Sequence, residues 1–378
     1  MSFLSTGLFG SQSIYEPYFT TNPVTRLSFL RQSNTLLHKA SQHPSAKYLC
    51  MQNFNPLRSK DGNLQYVNYD HVRPIIGEPF KDDEATQSQN FNSSIKKPIL
   101  IFLGLDLESK AAGVDLDSYK GVPYFALDVS RQEQSTIDGL AASTSAAFAP
   151  TRVELGFSYE ESSIYAQARS FIDWNQRNAY CSSCGSSTLS VHGGAKIICP
   201  PVDNGKRRGS CPTRIGLHNT AFPRTDPTLI AAPVSADGKR VLLGRGKRWP
   251  PNYYSALSGF VEPAESLESA MRREVYEESG VKVGDVQIHS SQAWPYPSTL
   301  LVGTIGQCKE ASDEKITYPE KELDEAKWFE FGEVKEALDH GHAMWEDPPR
   351  GYTGIRVPGE KLMAHRTLRG VLKLFGRK

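Results

Sequence analysis

The sequence predicts an α+β fold in which short strands dominate and one acidic helix stands out. Residues 229–235 and 240–245 are apolar segments on either side of an Asp-Gly dipeptide at 237–238, which is typical of a tight hairpin. Residues 266–279 have the composition of a helix, and Gly280 follows at the left-handed carboxyl-terminal position that favours glycine. Four cysteines in one short stretch precede both features and indicate a separate, cross-braced segment.

Length and composition indicate a multidomain globular chain. The 378 residues correspond to two or three domains of roughly 100–200 residues, and a hydrophobic content of 39% is sufficient for their cores. Lys+Arg total 43 and Asp+Glu 42, a net charge of +1 that argues against a protein whose main role is to coat a polyanion. No stretch reaches the roughly 18 apolar residues of a membrane span, so we expect no membrane partner.

The other elements follow from periodicity and turn residues. Apolar residues recur at near-helical spacing in 27–37, and a polar loop at 82–94 separates that segment from two short strands at 98–104 and 124–129. Residues 163–178 have helical period and lead into the cysteines. Beyond the hairpin, further strands are predicted at 255–262, 281–289, 298–306 and 326–331. The sequence shows no internal repeat.

Three glutamates share one face of the acidic helix. Glu274, Glu277 and Glu278 lie at i, i+3 and i+4, and like charges so placed repel one another. A hard divalent cation such as Mg²⁺ takes carboxylate oxygens as ligands and also binds phosphate oxygens, so the pattern predicts a phosphoanhydride substrate. A solvated acidic face on a surface helix is the alternative, and it would be the better explanation of Glu-x-x-Glu-Glu alone.

The spacing of the whole segment favours the metal site. The chain runs Gly259, five residues, Glu265, seven residues, Arg273-Glu274-Val275, one residue, Glu277-Glu278, one residue, Gly280-Val281. This resembles the Nudix box, G-x5-E-x7-R-E-U-x-E-E-x-G-U with U aliphatic, at every specified position. The resemblance implies hydrolysis of a nucleoside diphosphate linked to another moiety, in a catalytic domain that is an α/β/α sandwich.

The same resemblance implies roles for the residues of the box. Mg²⁺ or Mn²⁺ would be held by the last three glutamates, Glu274, Glu277 and Glu278. One of these, with Glu278 preferred over Glu277, would also position or deprotonate the attacking water. Arg273 and Glu265 resemble a pair that orients the loop and helix. We expect Gly259 to permit a tight backbone turn and the Ser258 carbonyl to add a metal contact.

A rigid aromatic segment follows the box. Residues 291–300, Ser-Gln-Ala-Trp-Pro-Tyr-Pro-Ser-Thr-Leu, hold two aromatic rings among prolines, and such rings offer flat surfaces to a base or a nicotinamide. A packed loop is the alternative for such a turn alone. The segment resembles S-Q-P-W-P-F-P-x-S, the signature of NADH pyrophosphatases, with two departures that leave the choice between NADH and NAD⁺ open. The implied substrate-binding residues are Gln292, Ala293, Trp294, Pro295, Tyr296, Pro297, Ser298 and Thr299.

Further segments resemble the same subfamily in the same order along the chain. Phe222 and Phe260 occupy positions that would stack on a base, and Glu322 occupies that of a further metal-binding carboxylate. The backbone of Ala364 would face the substrate. Core packing or a surface charge is the commoner explanation for such residues taken singly, and their order favours function. The degenerate Nudix-like amino-terminal domain of these enzymes is resembled by residues 22–31, 102–104 and 124–129.

The cysteine cluster predicts a structural zinc site. A C-x-x-C knuckle is followed after fourteen residues by a third cysteine, which is typical of a zinc ribbon, so we expect Zn²⁺ on Cys181, Cys184, Cys199 and Cys211. The basic insert at 200–210, with Lys206-Arg-Arg, would loop out, and His192 and His218 are alternative ligands. A redox-active C-x-x-C is the competing interpretation, but it would lack the second pair.

The resemblance covers nearly the whole chain and implies three parts. Residues 1–175 would be the amino-terminal domain, 176–218 the zinc ribbon and 219–378 the catalytic domain. It implies a homodimeric enzyme that hydrolyses NAD(H) to AMP and nicotinamide mononucleotide. The alternatives are action on NAD-capped RNA, whose phosphates the basic insert would touch, on ADP-ribose or on diadenosine polyphosphates. An inert zinc-ribbon binding module is disfavoured, because all the metal carboxylates are present.

The expected compartment is the cytoplasm or the peroxisome. The first residues show no signal-peptide pattern, and the final Phe375-Gly-Arg-Lys is not a peroxisomal tripeptide. Neither feature separates the two compartments.

Overall fold

The computed structural model describes residues 17–109, 113–150, 156–216, 218, 220–340, 344 and 350–376. The chain ends on which the expected compartment depends, 1–16 and 377–378, lie outside the described residues. Within the described ranges the chain forms a seven-stranded and a six-stranded sheet with the cysteine segment between them. Among the helices of the described residues, none combines the length and the hydropathy of a transmembrane span.

The first sheet precedes the cysteines. Its strands are β1 (Lys47–Gln52), β2 (Asn55–Arg58), β3 (Tyr66–Val67), β4 (Leu100–Asp106), β5 (Val114–Leu116), β6 (Tyr119–Asp128) and β7 (Ala147–Phe148). The order is β4-β6-β1-β2-β7, with β3 on β1 and β5 on β6. Only β1 and β6 are parallel. The helices are α1 (Asn34–Gln42), α2 (Tyr69–Ile76), α3 (Glu84–Gln89), α4 (Gln134–Ser143) and α5 (Tyr159–Arg177).

Alternation along the strands gives this sheet two apolar faces. Tyr48 and Cys50 of β1 enter a core with α1, α2 and α4, whereas Leu49 and Met51 enter a core with α5. Because successive side chains of a strand point to opposite faces, four consecutive buried residues require helices on both sides. The result is an α/β/α sandwich.

Two local predictions for this part of the chain are wrong. Residues 27–37 do not form one helix: a 3₁₀ turn at Ser28–Gln32 ends before α1, because the Ser33 hydroxyl accepts the Leu36 N–H and caps a new helix. The expected loop at 82–94 contains α3, which Asp83 caps in the same way. The helix expected at 163–178 is α5.

The cysteine segment consists of two small hairpins. They are formed by β8 (Leu189–Val191) with β9 (Lys196–Ile198), and β10 (Val202–Asp203) with β11 (Lys206–Arg207). The carbonyl of Gly193, in the first turn, accepts the N–H of Phe102 in edge strand β4 (2.8 Å). The Ile197 N–H donates to the carbonyl of Ala221, shortly before the second sheet (2.9 Å). The segment therefore bonds to the chain on both sides of it.

The second sheet carries the predicted active site. Its strands are β12 (Asp226–Val234), β13 (Arg240–Gly246), β14 (Leu257–Phe260), β15 (Val286–Trp294), β16 (Thr299–Gln307) and β17 (Leu323–Glu330), and its helices are α6 (Leu267–Ser279), α7 (Phe331–His340) and α8 (Met363–Phe375). The order is β15-β16-β12-β13-β17, with β14 on β12. One core lies under α6 and the other under α7 and α8, so the predicted α/β/α sandwich is confirmed.

The two sheets have the same topology. In each, the first strand pairs in parallel with a later strand (β1 with β6, β12 with β16) and antiparallel with the next two. The outer strands β4 and β15 each carry a register shift against their partner, at Phe102/Gly104 and at Ile288/Ser290. The chain therefore contains a structural repeat, although its sequence shows none.

Candidate active site

The acidic helix α6 begins and ends where the sequence predicts. Ser266 and Ser269 form a reciprocal capping box, which satisfies N–H groups that the first helical turn leaves free. Gly280 ends the helix with φ 79°, and its N–H donates to the Tyr276 carbonyl. A side chain at Gly280 would collide with Thr317, so both the backbone angle and the packing require glycine. Local sequence signals therefore set both ends of α6.

Arg273 connects three of the four acidic residues of the box. Its guanidinium forms a bidentate pair with Glu265 (Nε to Oε1 2.7 Å, Nη2 to Oε2 2.8 Å). Nη1 donates to Glu274 (2.7 Å) and Glu277 (3.0 Å), and Nη2 also donates to the Phe260 carbonyl (2.9 Å). These bonds hold the pKa of Glu265 at about 2. The guanidinium thus joins α6, the preceding loop and β14.

Gly259 lies within β14 and not in a turn. A Cβ at this position would lie 1.9 Å from Cδ of Glu274. The predicted tight turn is therefore wrong: glycine is required because the Glu274 carboxylate packs against the strand backbone. Burial raises the pKa of Glu274, although hydrogen bonding to Arg273 opposes this.

Glu278 is the most buried of these acids, with 4% exposure. Burial, with the nearby carboxylates of Glu322 and Glu274, raises its pKa to about 8, and a backbone hydrogen bond from Ser258 opposes that rise. Its Oε2 has no hydrogen-bond partner in the described part of the chain. A buried, unpartnered carboxylate oxygen facing other carboxylates is the arrangement that a bound divalent cation relieves. The oxygen donor set therefore fits Mg²⁺ or Mn²⁺.

The predicted aromatic segment closes the β15–β16 hairpin. Residues 295–298 form the turn, and Ser298 joins it to the chain before β12: its Oγ donates to the Arg224 carbonyl (3.2 Å), and its carbonyl accepts the Asp226 N–H (3.1 Å). The aromatic turn therefore lies beside the segment that carries Phe222.

The pairing register of β12 gives the distance between the aromatic turn and the Nudix-box residues. Asp226 pairs with Thr299 on one side of β12, and Thr228 pairs with Phe260 on the other. Two residues along a strand span about 7 Å and two strand spacings about 10 Å, so the base of the turn lies about 12 Å from Phe260. One extended ligand can contact both regions.

Gln292 lies inside the protein, with 2% exposure. Its Nε2 donates to the carbonyls of Tyr18 (3.0 Å) and Lys361 (2.8 Å). These bonds connect β15 to the amino-terminal part and to the segment before α8. The structure thus places Gln292 as a link between three segments and commits its donors within the protein.

The other predicted substrate and metal positions lie around the same region. Phe222 and Phe260 are 43% and 60% exposed, so their rings are accessible for stacking. Glu322 is exposed and directly precedes β17. Ala364 lies in the first turn of α8, where backbone N–H groups lack intrahelical acceptors. Ala293, Trp294 and Tyr296 pack against the α5-side core of the first sheet.

The four cysteines meet at one point. Their Sγ atoms all lie within 4.8 Å of one another; the closest pairs are Cys181 with Cys211 (3.7 Å) and Cys184 with Cys199 (3.6 Å). Four sulfurs around a tetrahedral Zn²⁺ with Zn–S of about 2.3 Å lie about 3.8 Å apart, so the cluster fits a zinc site. The alternative ligands His192 and His218 bond instead to Glu84 and Thr220.

The basic insert does not loop out, contrary to expectation. The carboxylate of Asp203, in β10, accepts bonds from the N–H and Oγ of Ser93 (2.8 Å each) and from Arg208 (2.6 Å). These bonds dock the β10–β11 hairpin on the first sheet's domain. Lys206 and Arg207, on β11, remain exposed.

Known families and proteins account for this arrangement. Residues 225–347 match the NUDIX domain, and residues 25–174 match the NADH pyrophosphatase-like rudimentary NUDIX domain. The chain is 32% identical over 366 residues to the NAD-capped RNA hydrolase NUDT12 of Macaca fascicularis, covering 95% of this chain and 74% of that protein. The chain belongs to the Nudix family. Within it, the chain belongs to the NADH pyrophosphatase-like subfamily.

Two further Nudix relatives differ in coverage. The NAD-capped RNA hydrolase NPY1 of Saccharomyces cerevisiae is 30% identical over 387 residues, covering 95% of this chain and 96% of that protein. The mitochondrial NAD(P)H pyrophosphatase NUDT13 of Mus musculus is 29% identical over 209 residues, covering 55% and 54%. The predicted family and fold are confirmed, and the chain is a Nudix hydrolase.

Three further residues contact the predicted sites, and sequence reasoning missed them. The N–H of Glu320 donates to the Glu277 carbonyl (2.9 Å), and its charge helps to raise the pKa of Glu278. The acidic stretch around Glu322 was a signal for it. Arg214, which donates to Sγ and the carbonyl of Cys199, follows the last cysteine closely enough to have been suspected. Arg169, which touches the aromatic turn, carries no sequence signal because it is distant along the chain.

Proposed function

We propose that this Nudix hydrolase cleaves the diphosphate of an NAD moiety at the 5′ end of RNA, releasing nicotinamide mononucleotide and leaving a 5′-monophosphate on the RNA. The observation that carries the proposal is the placement of the aromatic turn about 12 Å from Phe260 on the sheet that holds the Glu274–Glu278 cluster. The relatives NUDT12 and NPY1 are both named NAD-capped RNA hydrolases, which supports RNA as the attached moiety.

The chemistry follows from the carboxylates. Glu274, Glu277, Glu278 and Glu322 would hold Mg²⁺ or Mn²⁺, which supplies charge neutralisation at the diphosphate and acidifies water. Arg273 keeps Glu274 and Glu277 in place through its hydrogen bonds. Glu278 accepts the proton of the attacking water, whose oxygen bonds to one phosphorus while the bridging oxygen leaves with the other phosphate.

The cysteine cluster would hold Zn²⁺ in a structural role. All four donors are cysteines, which leaves no open coordination position for chemistry. The segment bonds to β4 on one side and to Ala221 on the other, so a metal there would brace the two sheets. The three-part division at 175 and 218 and a homodimer remain predictions.

A docked basic hairpin favours RNA as the attached moiety. Lys206 and Arg207 are exposed on β11, and Lys96 and Lys97 are exposed shortly after Ser93, on which the hairpin docks. None of these four side chains forms an ion pair within the described ranges. A cationic surface on a docked hairpin suits the phosphates of a single strand.

Free NAD(H) is the second candidate, because the relative NUDT13 is named an NAD(P)H pyrophosphatase. The two are separated by comparing NAD-capped RNA, NADH, ADP-ribose and a diadenosine polyphosphate with Mg²⁺ or Mn²⁺. We expect capped RNA to have the highest kcat/KM. Changing the four exposed basic residues, Lys96, Lys97, Lys206 and Arg207, to glutamine should reduce that preference. For each phosphate contact that is lost, the slope of log binding constant against log salt concentration should become shallower by about 0.7. Highest kcat/KM for NADH, with no effect of the four changes, would favour the second candidate.

A further inference from the structure

An arginine of the amino-terminal domain contacts the aromatic turn of the catalytic domain. The guanidinium of Arg169, on α5, lies between the rings of Phe54 and Tyr296, with its Cζ 4.6 and 4.8 Å from their centroids. Its Nη1 also donates to the Pro295 carbonyl (2.6 Å). Because a guanidinium is planar, stacking and a hydrogen bond together fix both the distance and the orientation of the turn.

A second aromatic residue of the same domain completes the contact. Phe19 meets Trp294 and Tyr296 edge to face, with ring centroids 6.0 and 6.3 Å apart. We refer to Phe19, Phe54 and Arg169 as the clasp. In the described ranges the guanidinium of Arg169 forms no other hydrogen bond, ion pair or ring contact, so its polar and aromatic contacts all involve Phe54 or the aromatic turn.

Both phenylalanines of the clasp hold an unfavourable backbone conformation. Phe19 has φ 69° and Phe54 has φ 65°, in the left-handed region that bulky residues rarely adopt. Phe54 is the second residue of the two-residue β1–β2 turn, a position that favours glycine. The ring of Phe54 packs against the α5-side core of the first sheet, and its contact with Arg169 adds to that packing in offsetting the backbone strain.

We propose that the clasp selects the substrate by fixing the aromatic turn against the catalytic sheet, with Arg169 as the positioning residue. This inference rests on the proposed function, because the turn would face the nicotinamide half of the substrate. Outside the clasp, Ser298 and Gln292 each form two hydrogen bonds that hold the ends of the aromatic segment, but the rings of Trp294 and Tyr296 take part in none of these bonds. The clasp therefore controls how the two rings of the turn are presented, while the carboxylates on the far side of β12 stay unchanged.

The test compares Arg169→Met and Phe54→Gly with wild type. The substrates are NADH and ADP-ribose, which lacks the nicotinamide ring. We expect KM for NADH to rise about tenfold in each variant with kcat within twofold, and values for ADP-ribose to be unchanged. Phe54→Gly removes the ring while suiting the positive φ of the β1–β2 turn, and its melting temperature shows whether the variant stays folded at the assay temperature. Arg58→Met is the matched control, because Arg58 stacks on Phe157 (5.0 Å) in the same domain, away from the aromatic turn. This variant should leave kcat and KM unchanged for both substrates.

The outcomes separate this inference from the proposed function. Equal losses on both substrates, or no change in folded variants, would overturn the role of the clasp. If wild type cleaves no nicotinamide substrate, the proposed function fails, and the clasp is then judged by fluorescence titration of metal-free protein with NADH. A tenfold weaker Kd in both variants would still support the clasp, whereas equal Kd values or no binding by wild type would reject it.

Discussion

The two sheets share one topology but use it differently. In the second sheet, the strand β14 and the helix α6 bring together Gly259, Arg273 and three glutamates. At the corresponding place in the first sheet, the two-residue strand β3 carries Tyr66 and Val67, and the following helix α2 contains Pro74. A topology thus needs only alternating apolar residues, whereas a metal site also needs space for a carboxylate beside a strand.

The first sheet has instead kept a contact role. Its α5 and its β1–β2 turn provide Arg169 and Phe54, which hold the aromatic turn of the second sheet. The last helix of each half packs across the outer strand pair of its sheet, α5 on β4 and β6 and α8 on β15 and β16. On the two proposals above, the same framework would support catalysis in the second sheet and positioning of the aromatic turn by the first.

The largest expected difference between the two sheets and their helices is in the chemical step. Glu277→Gln should lower kcat by on the order of 10³-fold, because it removes a carboxylate from the cation cluster. Asp70→Asn, in the first turn of α2, changes an exposed acid in the matching helix and should leave kcat within twofold. Initial rates with saturating Mn²⁺ measure both. Similar losses in the two variants would mean that the first copy is not catalytically inert.

The next effect concerns the zinc segment that joins the copies. Cys211→Ser should remove one ligand of the cluster and lower the free energy of unfolding by several kcal/mol, because metal binding is coupled to folding. His218→Ala, a change at an alternative ligand that bonds to Thr220, should cost about 0.5 kcal/mol or less. Urea unfolding with zinc analysis of the purified proteins tests this. One zinc per chain retained in Cys211→Ser would contradict the four-cysteine site.

A smaller effect isolates the space beside β14. Gly259→Ala should lower kcat about 10²-fold, because the new Cβ displaces the Glu274 carboxylate. Val67→Ala in β3 should instead cost about 1–3 kcal/mol of stability and spare kcat, since Val67 is a core residue. Rates and unfolding curves of both variants are needed. An active Gly259→Ala would show that Glu274 can move without losing its function.

Sequence reasoning reached the fold of the second sheet more fully than that of the first. The Asp-Gly hairpin, the Nudix spacing and Gly280 are local signals, so β12, β13 and α6 were placed correctly. The resemblance implied a Nudix-like first domain, but residue patterns alone showed no repeat, because the pairing of β1 with β6 depends on burial on both faces and many apolar residues satisfy that requirement. The role of Gly259 was also missed, since a glycine needed for close approach resembles a turn glycine in sequence.

Contacts between distant segments were beyond the reach of motifs. The pairing of Arg169 with Tyr296 joins residues far apart in the chain, and so does the bond from Gln292 to Tyr18. The docking of the basic insert on Ser93 is of the same kind. Spacing predicts what a segment can do, but the tertiary fold decides which segment it meets.

The smallest expected effect is the release of a proton from Glu278 when metal binds. Glu278 is the buried acid that distinguishes the domain of the second sheet. Its pKa is about 8 in the folded, metal-free protein, against about 4.3 for an unfolded glutamate. Between these values the folded state holds one more proton than the unfolded state, so stability without metal should fall as pH rises from about 4.3 to 8.

A cation requires the ionised carboxylate of Glu278, so Mn²⁺ binding should release up to about one proton at pH 6.5 and tighten as pH rises toward 8. Calorimetry in buffers of different ionisation enthalpy measures that proton. Glu278→Gln should abolish the release and Asp70→Asn should not, while equal release in all three proteins would assign the proton to another group.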